Sequence, residues 1–306
     1  MRWWLKAAIQ AGLSLTPGGE AINHKLQLLR GFREETPYMI FTNVGHLCDL
    51  AQTAGKCGLD LDRSYTVEVG TGWMPTLPVG IYLLGGRVHT YDHVAHLRPG
   101  NLRRLIDLYP QFLSKLARST GREISELQAR LAALSATQAQ TTDLSPFGIH
   151  YHAPGDATQT HLPDASIDLY MSVAVLEHVP ISVVVGLLRE AYRVLKPGGL
   201  TYHHIGLHDH YDTVDSRITQ VNFLKYRDIT WRLIAQNKIH YTNRMRASEF
   251  VAAFRQVGFD IVNCKRKVDE RSLEALGSMR LAKRYRGFEK LDLATCSVTI
   301  CAQKPR

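Results

Sequence analysis

The chain has 306 residues, of which 45% are hydrophobic and 21% charged, enough to bury a full core as one large domain or one domain with an appendage, and a composition that excludes global disorder. A formal charge of +9 favours anionic partners (nucleic acid, phosphorylated metabolites or an anionic membrane face), although a solvated basic face satisfies the same numbers. The five cysteines, Cys48, Cys57, Cys264, Cys296 and Cys301, are odd in number and form no CxxC pair, which speaks against a disulfide framework and a zinc site and fits reduced thiols in the cytoplasm.

No apolar run approaches the ~20 residues that cross a bilayer. The opening Met1-Arg2-Trp3-Trp4-Leu5-Lys6 reads as part of the mature protein, because Lys6 and Gln10 interrupt its apolar stretch and a Thr16-Pro17-Gly18-Gly19 turn follows. Its paired tryptophans suit core or lid packing and leave a peripheral membrane contact open. Helical apolar spacing over 3–13, 20–31 and 40–56 makes residues 1–60 an N-terminal helical cap ahead of a domain over 61–306.

That domain alternates strands and helices. Tyr65–Val69 is a buried strand, a glycine turn follows, Leu77–Leu84 is a helix and Val88–Tyr91 a second strand ending on Asp92, which makes a β-α-β unit. Residues 101–140 interrupt the order with two amphipathic helices, 101–118 and 122–136, a segment too long for a connection and suited to a lid. Strands resume at Phe147–Tyr151 and Ile167–Val173. A helix over 182–195 stops at Lys196-Pro197-Gly198-Gly199, and a strand takes up at Leu200–Ile205. Ser248 caps a helix that Gly258 ends, and Phe259–Cys264 with Thr295–Ala302 form an antiparallel pair at the sheet edge. The expected architecture is an α/β fold with a doubly wound, mostly parallel sheet and an antiparallel edge strand.

Four groups of residues carry chemistry. In Glu68-Val69-Gly70-Thr71-Gly72, glycines after a strand let a ligand approach the backbone beside a helix N-terminus, or simply make a turn; Pro75 stands where a dinucleotide loop asks for a third glycine. Asp92 can accept from a ribose diol or cap a helix. Asp156, in Gly155-Asp156-Ala157, can accept from an exocyclic amine or make a Gly-Asp turn. The last is the strand ending Met171-Ser172-Val173, followed by Val175-Leu176-Glu177-His178-Val179.

Taken in order through Leu195-Lys196-Pro197-Gly198-Gly199, these pieces resemble class I S-adenosylmethionine-dependent methyltransferases over residues 65–205, the insertion apart. The resemblance implies a Rossmann-like fold with S-adenosylmethionine as cofactor. It implies Glu68, Gly70, Gly72 and Trp73 around the methionine part, Asp92 at the ribose, Asp156 and Ala157 at adenine, and Ser172 and Val173 beneath the sulfonium. Trp73 and Pro75 replace small residues common in the family's loop, and the 92-to-156 spacing is long for it. A narrower resemblance, to methyltransferases of bacterial polysaccharide and surface-glycan pathways, rests on Leu15–Ile22 with Gln27, Gly70-Thr71-Gly72-Trp73, Leu83-Leu84-Gly85, Gly148-Ile149-His150-Tyr151, Asp209-His210, Asn222-Phe223-Leu224 and Asn243-Arg244-Met245-Arg246.

A hydroxyl acceptor needs a base. The candidates are His208 and His210, oriented by Asp209, with His178 as the alternative; His203 and His204 lie within a strand, where one faces the core. Together with Asp212 and Asp215 the same loop could grip a divalent metal, or simply be polar; no metal is assigned. Arg244 and Arg246 suit a phosphate or carboxylate, or a salt-bridged connection, and Tyr151 is a further substrate candidate. The expected activity is O-methylation of a sugar or glycan-related hydroxyl with a histidine base. The alternative is a small apolar or aromatic metabolite, held by Trp73, Tyr82, Tyr151 and Tyr170, with methylation on oxygen, nitrogen or carbon. The basic residues are not interleaved with aromatics, so no specific nucleic-acid partner is expected, and the sequence leaves the oligomeric state open.

Overall fold

In the computed structural model, a seven-stranded sheet runs through the molecule in the order β3-β2-β1-β4-β5-β7-β6. The structure describes residues 1–19, 22–23, 26, 37–136, 142–237 and 239–306; most of the helix expected over 20–31, Gln27 included, and the end of the insertion expected at 140 lie outside these. Helices α1 (Trp3–Ser14) and α2 (Pro37–Lys56) precede β1 (Tyr65–Val69), α3 (Thr76–Leu83) and β2 (Arg87–Tyr91). Helices α4 (Pro99–Leu108), α5 (Pro110–Thr120) and α6 (Ile124–Ala136) lead to β3 (Ile149–His152) and β4 (Ile167–Val173). Then come α7 (Ile181–Val194), β5 (Leu195–Gly206), α8 (Asp228–Ala235), α9 (Ala247–Val257), β6 (Asp260–Val268), α10 (Glu270–Ala275), α11 (Lys290–Ala294) and β7 (Thr295–Gln303).

Strands β3, β2, β1, β4 and β5 pair in parallel, and β7 runs antiparallel to both β5 and β6, so the antiparallel pair closes one side of a mostly parallel sheet as the sequence suggested. Apolar residues cover both faces. Leu47 and Leu50 of α2 with Leu102, Leu105, Leu113, Leu116, Leu127 and Leu131 of the inserted helices pack on one face, against Val88 and Leu169. Leu187, Leu188 and Ala191 of α7 with Phe250 and Phe254 of α9 pack on the other, against Val67 and Ile300. A third cluster joins Trp3 of α1 to Tyr211, Phe223, Trp231 and Tyr285.

Two local expectations are corrected. The single helix over 101–118 is broken at Pro110, whose ring cannot continue the preceding turn, so two helices replace one. Ser248 is not the cap of α9: the helix starts at Ala247, the Glu249 carboxylate accepts the Arg246 N–H at 2.8 Å, and the Ser248 N–H is turned to Asp292 at 3.1 Å.

Because five neighbouring strands are parallel, their C-terminal ends share one edge of the sheet, and the loops after β1, β2, β3, β4 and β5 converge there. In open α/β sheets this is where ligands bind.

Candidate active site

The loops are tied to each other by backbone contacts. Asp92, the residue after β2, donates its N–H to His152 O at 3.0 Å and accepts the Gly155 N–H on its carbonyl at 2.8 Å, so the loop holding Asp156 is fixed beside it. Its carboxylate accepts the Gly72 N–H at 2.7 Å. Gly70 and Gly72 have φ of 87° and 65°, a region that favours glycine. A Cβ on Gly70 would overlap the Val175 side chain from the loop after β4, whereas one on Gly72 would meet nothing within 4 Å. Gly70 therefore admits a neighbouring loop, while Gly72 leaves an open cradle bordered by a carboxylate.

Glu68 lies beneath this loop, 2% exposed. Its carboxylate accepts from the Thr90 hydroxyl and from Thr71 Oγ1 at 3.4 Å. Burial pushes it up to about 7, against the pull of those two hydroxyls. Trp73 closes the far side of the loop: its carbonyl accepts from Asn101 Nδ2 at 3.1 Å, and its ring lies 4.8 Å from His96 and 5.6 Å from the Arg98 guanidinium. The inserted helices thus reach the loop through Asn101.

Asp156 is exposed, and its Oδ1 accepts the N–H and hydroxyl of Thr158 at 2.8 and 2.7 Å, which fixes the turn. Ala157 is buried beside it, its carbonyl accepting from Tyr170 Oη at 3.0 Å. Ser172 is fully buried, and its hydroxyl pairs with His203 Nδ1 at 2.6 Å; Thr201 Oγ1 takes the other ring nitrogen at 2.7 Å. His203 is therefore a core side chain, pushed down to about 3 by burial. Val173 is partly buried at the end of β4. Tyr151 Oη accepts the N–H groups of His96 and Leu97 at 3.1 and 3.4 Å and so anchors the loop after β2.

Beyond β5 the imidazoles gather. The His210 ring lies 4.4 Å from His208, 5.0 Å from His178 and 5.8 Å from His240. His240 carried no signal in the sequence, because it reaches the group from a segment 30 residues on. Burial, reinforced by the neighbouring imidazoles, pushes His210 down to about 2. Burial holds His208 below the usual histidine range and takes His240 to about 3. Asp209 does not orient either neighbour: its carboxylate is buried and accepts from Tyr211 N at 3.0 Å and Asn222 Nδ2 at 3.3 Å, and burial pushes it up to about 7. Asp215 is likewise committed, to Trp3 N–H and Arg217. Among the described residues no group of three or more His, Cys, Asp or Glu is arranged to hold a metal ion.

The turn Leu176–His178 after β4 is clamped by a residue the sequence offered only within a motif. Asn243 donates its N–H to Glu177 O at 2.9 Å and its side-chain amide to Leu176 O and Val179 O at 2.6 and 3.0 Å. Glu177 Oε1 in turn accepts Gly206 N–H at 2.8 Å, joining the ends of β4 and β5. The next residues correct an expectation. Arg244 and Arg246 are 5% and 0% exposed. Arg244 is spent on Phe223 O, Tyr226 O and Asp228, and Arg246 on the carbonyls of Leu207, Asp292, Leu293 and Thr295. Neither offers a guanidinium fork to a substrate. The four aromatics suggested for an apolar pocket also do not converge: Tyr170 belongs to one face of the sheet, while Trp73, Tyr82 and Tyr151 pack on the other.

Residues 105–203 match the family model of a methyltransferase domain. No curated protein matches the chain in sequence. Among solved structures, an S-adenosylmethionine-dependent methyltransferase from Methanosarcina mazei is 18% identical with a TM-score of 0.43, over 81% of this chain and 94% of that one. One from Mesorhizobium loti is 15% identical with a TM-score of 0.39, over 80% and 92%. Phosphoethanolamine N-methyltransferase 2 of Haemonchus contortus, solved with S-adenosyl-L-methionine, is 13% identical with a TM-score of 0.42, over 80% and 49%. Residues 105–203 carry a methyltransferase domain on this sheet, which makes the protein an enzyme. The residues at the strand ends fit S-adenosylmethionine as methyl donor, since the Gly72 cradle is open and the Asp92 carboxylate beside it can accept from a diol.

Proposed function

We propose that the enzyme methylates a hydroxyl of a sugar or glycan-related acceptor, with His178 taking the proton. The observation that carries this reading is the histidine group at the ends of β4 and β5. S-adenosylmethionine supplies an electrophilic methyl group, so the chain has to hold the donor, align the acceptor and remove one proton. Glu68, Gly70, Gly72 and Trp73 would hold the amino-acid end, Asp92 the ribose, Asp156 and Ala157 the base, with Ser172 and Val173 as the floor.

His178 Nδ1 lies 3.0 Å from Tyr241 O, and His210 Nδ1 lies 3.1 Å from His208 O. A carbonyl only accepts, so each Nδ1 carries the proton and each Nε2 keeps a lone pair. The two residues differ in their surroundings. Protonating His210 is costly in its buried site, so it serves as a neutral acceptor that positions a hydroxyl. His178 is exposed and can pass a proton to water. Imidazoles that present acceptors at fixed positions suit the O–H donors of a polyol; an aromatic carbon would gain little from them.

The test is methyl transfer from labelled donor to panels of sugars, glycans and aromatic metabolites. The reading expects turnover on hydroxyl acceptors, with His178→Gln losing kcat while donor affinity stays. Turnover confined to aromatic or amine acceptors, or full activity in the His178→Gln, His210→Gln double variant, would overturn it.

A further inference from the structure

Helices α1 and α8 lie side by side at one end of the molecule and bury their facing aromatic residues. Trp3 stacks on Trp231 at 5.8 Å and packs at a tilt on Tyr211 at 5.7 Å, and all three are buried. The exposed positions of the two helices are the unusual part. On α1 the exposed positions Trp4, Leu5, Ala8, Ile9 and Gly12 carry no charge. Trp4 is 57% exposed, and on α8 Leu233 is 76% and Ile229 54% exposed. A solvent-facing helix surface is ordinarily polar, and a run of large apolar side chains there marks a contact site.

The charges around this surface are mostly positive. Residues 1–19 contain no Asp or Glu. Arg2 stands at the start of α1, Lys225 and Arg227 lead into α8, and Arg232 is on it; all four residues are exposed. The one acid of α8, Asp228, is held by Arg244 and Arg284. Tryptophan and aliphatic side chains flanked by arginine and lysine, with the one acid paired, have the chemistry of an interfacial element: the apolar groups enter the acyl boundary and the bases meet lipid phosphates.

We propose that the paired faces of α1 and α8 dock the enzyme on an anionic membrane surface. No helix among the described residues is long and apolar enough to cross a membrane, so the contact is peripheral. The surface adjoins the candidate acceptor site, because Tyr211 contacts Trp3 on one side and His240, 4.6 Å away, on the other. Docking would therefore bring the histidine group close to the lipid headgroups.

Sedimentation of the full chain with phosphatidylcholine vesicles, with and without phosphatidylglycerol, tests this. Binding is expected only to the anionic vesicles, and weaker at high salt. The exposed substitutions Trp4→Glu and Leu233→Glu should together weaken it by about tenfold or more, and Arg232→Gln alone by about fivefold. Circular dichroism and S-adenosylmethionine binding should be unchanged in each variant, which separates this proposal from the donor reading. Equal binding to neutral vesicles, no binding at all, or loss of a dimer in the same variants without any lipid binding would overturn it; the last outcome would assign the face to a second copy of the chain.

Discussion

The Gly72 N–H donates to the Asp92 carboxylate at 2.7 Å, linking the loop after β1 to the end of β2. Asp92 is also held through its own N–H and carbonyl by His152 and Gly155, so its position is set by backbone before any ligand arrives. A ribose diol would share or replace the Gly72 contact. Hydrogen bonds to a charged group are worth about 1.5–3 kcal/mol, so Asp92→Ala should weaken donor binding by roughly 10- to 150-fold in calorimetry. The variant should still fold, because the backbone contacts remain.

Gly70 combines a φ of 87° with a Cβ position already filled by Val175. Gly70→Ala should cost on the order of 1–3 kcal/mol in urea unfolding and lower donor affinity. Shortening Val175 to Ala in that background should recover the overlap but not the backbone strain. A double-mutant cycle should thus show a favourable coupling that stops short of full rescue.

The buried groups set the response to pH. His89, His203, His204, His210 and His240 are pushed to about 4, 3, 3, 2 and 3, so between pH 5 and 6 they are neutral when folded and protonated when unfolded. Each gives stability that is present above the unfolded value near 6.5 and lost as pH falls toward the folded one. Glu68 and Asp209 are both raised to about 7, so in the same window they are protonated when folded and ionised when unfolded, and they oppose the histidines. Histidines outnumber acids, so the unfolded chain binds more protons. Stability should therefore rise with pH over this window. Glu68→Gln removes one opposing acid and should steepen the slope by roughly 1 kcal/mol per unit. Urea unfolding at pH 5.0, 5.5 and 6.0 measures both.

Much of the sheet was legible because buried parallel strands are short β-branched runs punctuated by glycine. Tyr65–Val69 and Ile167–Val173 occupy the residues their patterns marked. Helices α8, α10 and α11 were not legible, being only five to eight residues long. At the site, the residues next to strand ends could be read by position. Asp209 could not, because the direction in which a loop carboxylate turns depends on Tyr211 and Asn222, and burial of the partner is invisible in a local pattern.

The histidine group separates binding from chemistry. His210→Gln keeps a side chain that can hydrogen-bond but cannot exchange protons as imidazole does. If His210 only positions the hydroxyl, kcat should fall modestly and the pH profile keep its shape. His178→Gln should lose about 10²–10⁴ in kcat across the profile, with donor affinity unchanged in both variants. Steady-state kinetics between about pH 5 and 9 checks this.

Arg246 shows how a residue suited to phosphate can serve the fold. It has no exposed surface, and its guanidinium gathers the carbonyls of Leu207, after β5, and of Asp292, Leu293 and Thr295, where α11 runs into β7. It thus pins the loop that carries His208 and His210 to the far strand. Burial lowers it to about 10, which still leaves it charged at neutral pH. Truncation would strand several carbonyls in a dry site, so Arg246→Ala should cost about 3–5 kcal/mol of stability. Arg246→Lys should recover only part, since a single ammonium cannot reach all the acceptors of a planar fork. If Arg246 bound substrate instead, Arg246→Lys would raise KM and leave the urea midpoint in place; the buried geometry requires the midpoint to fall.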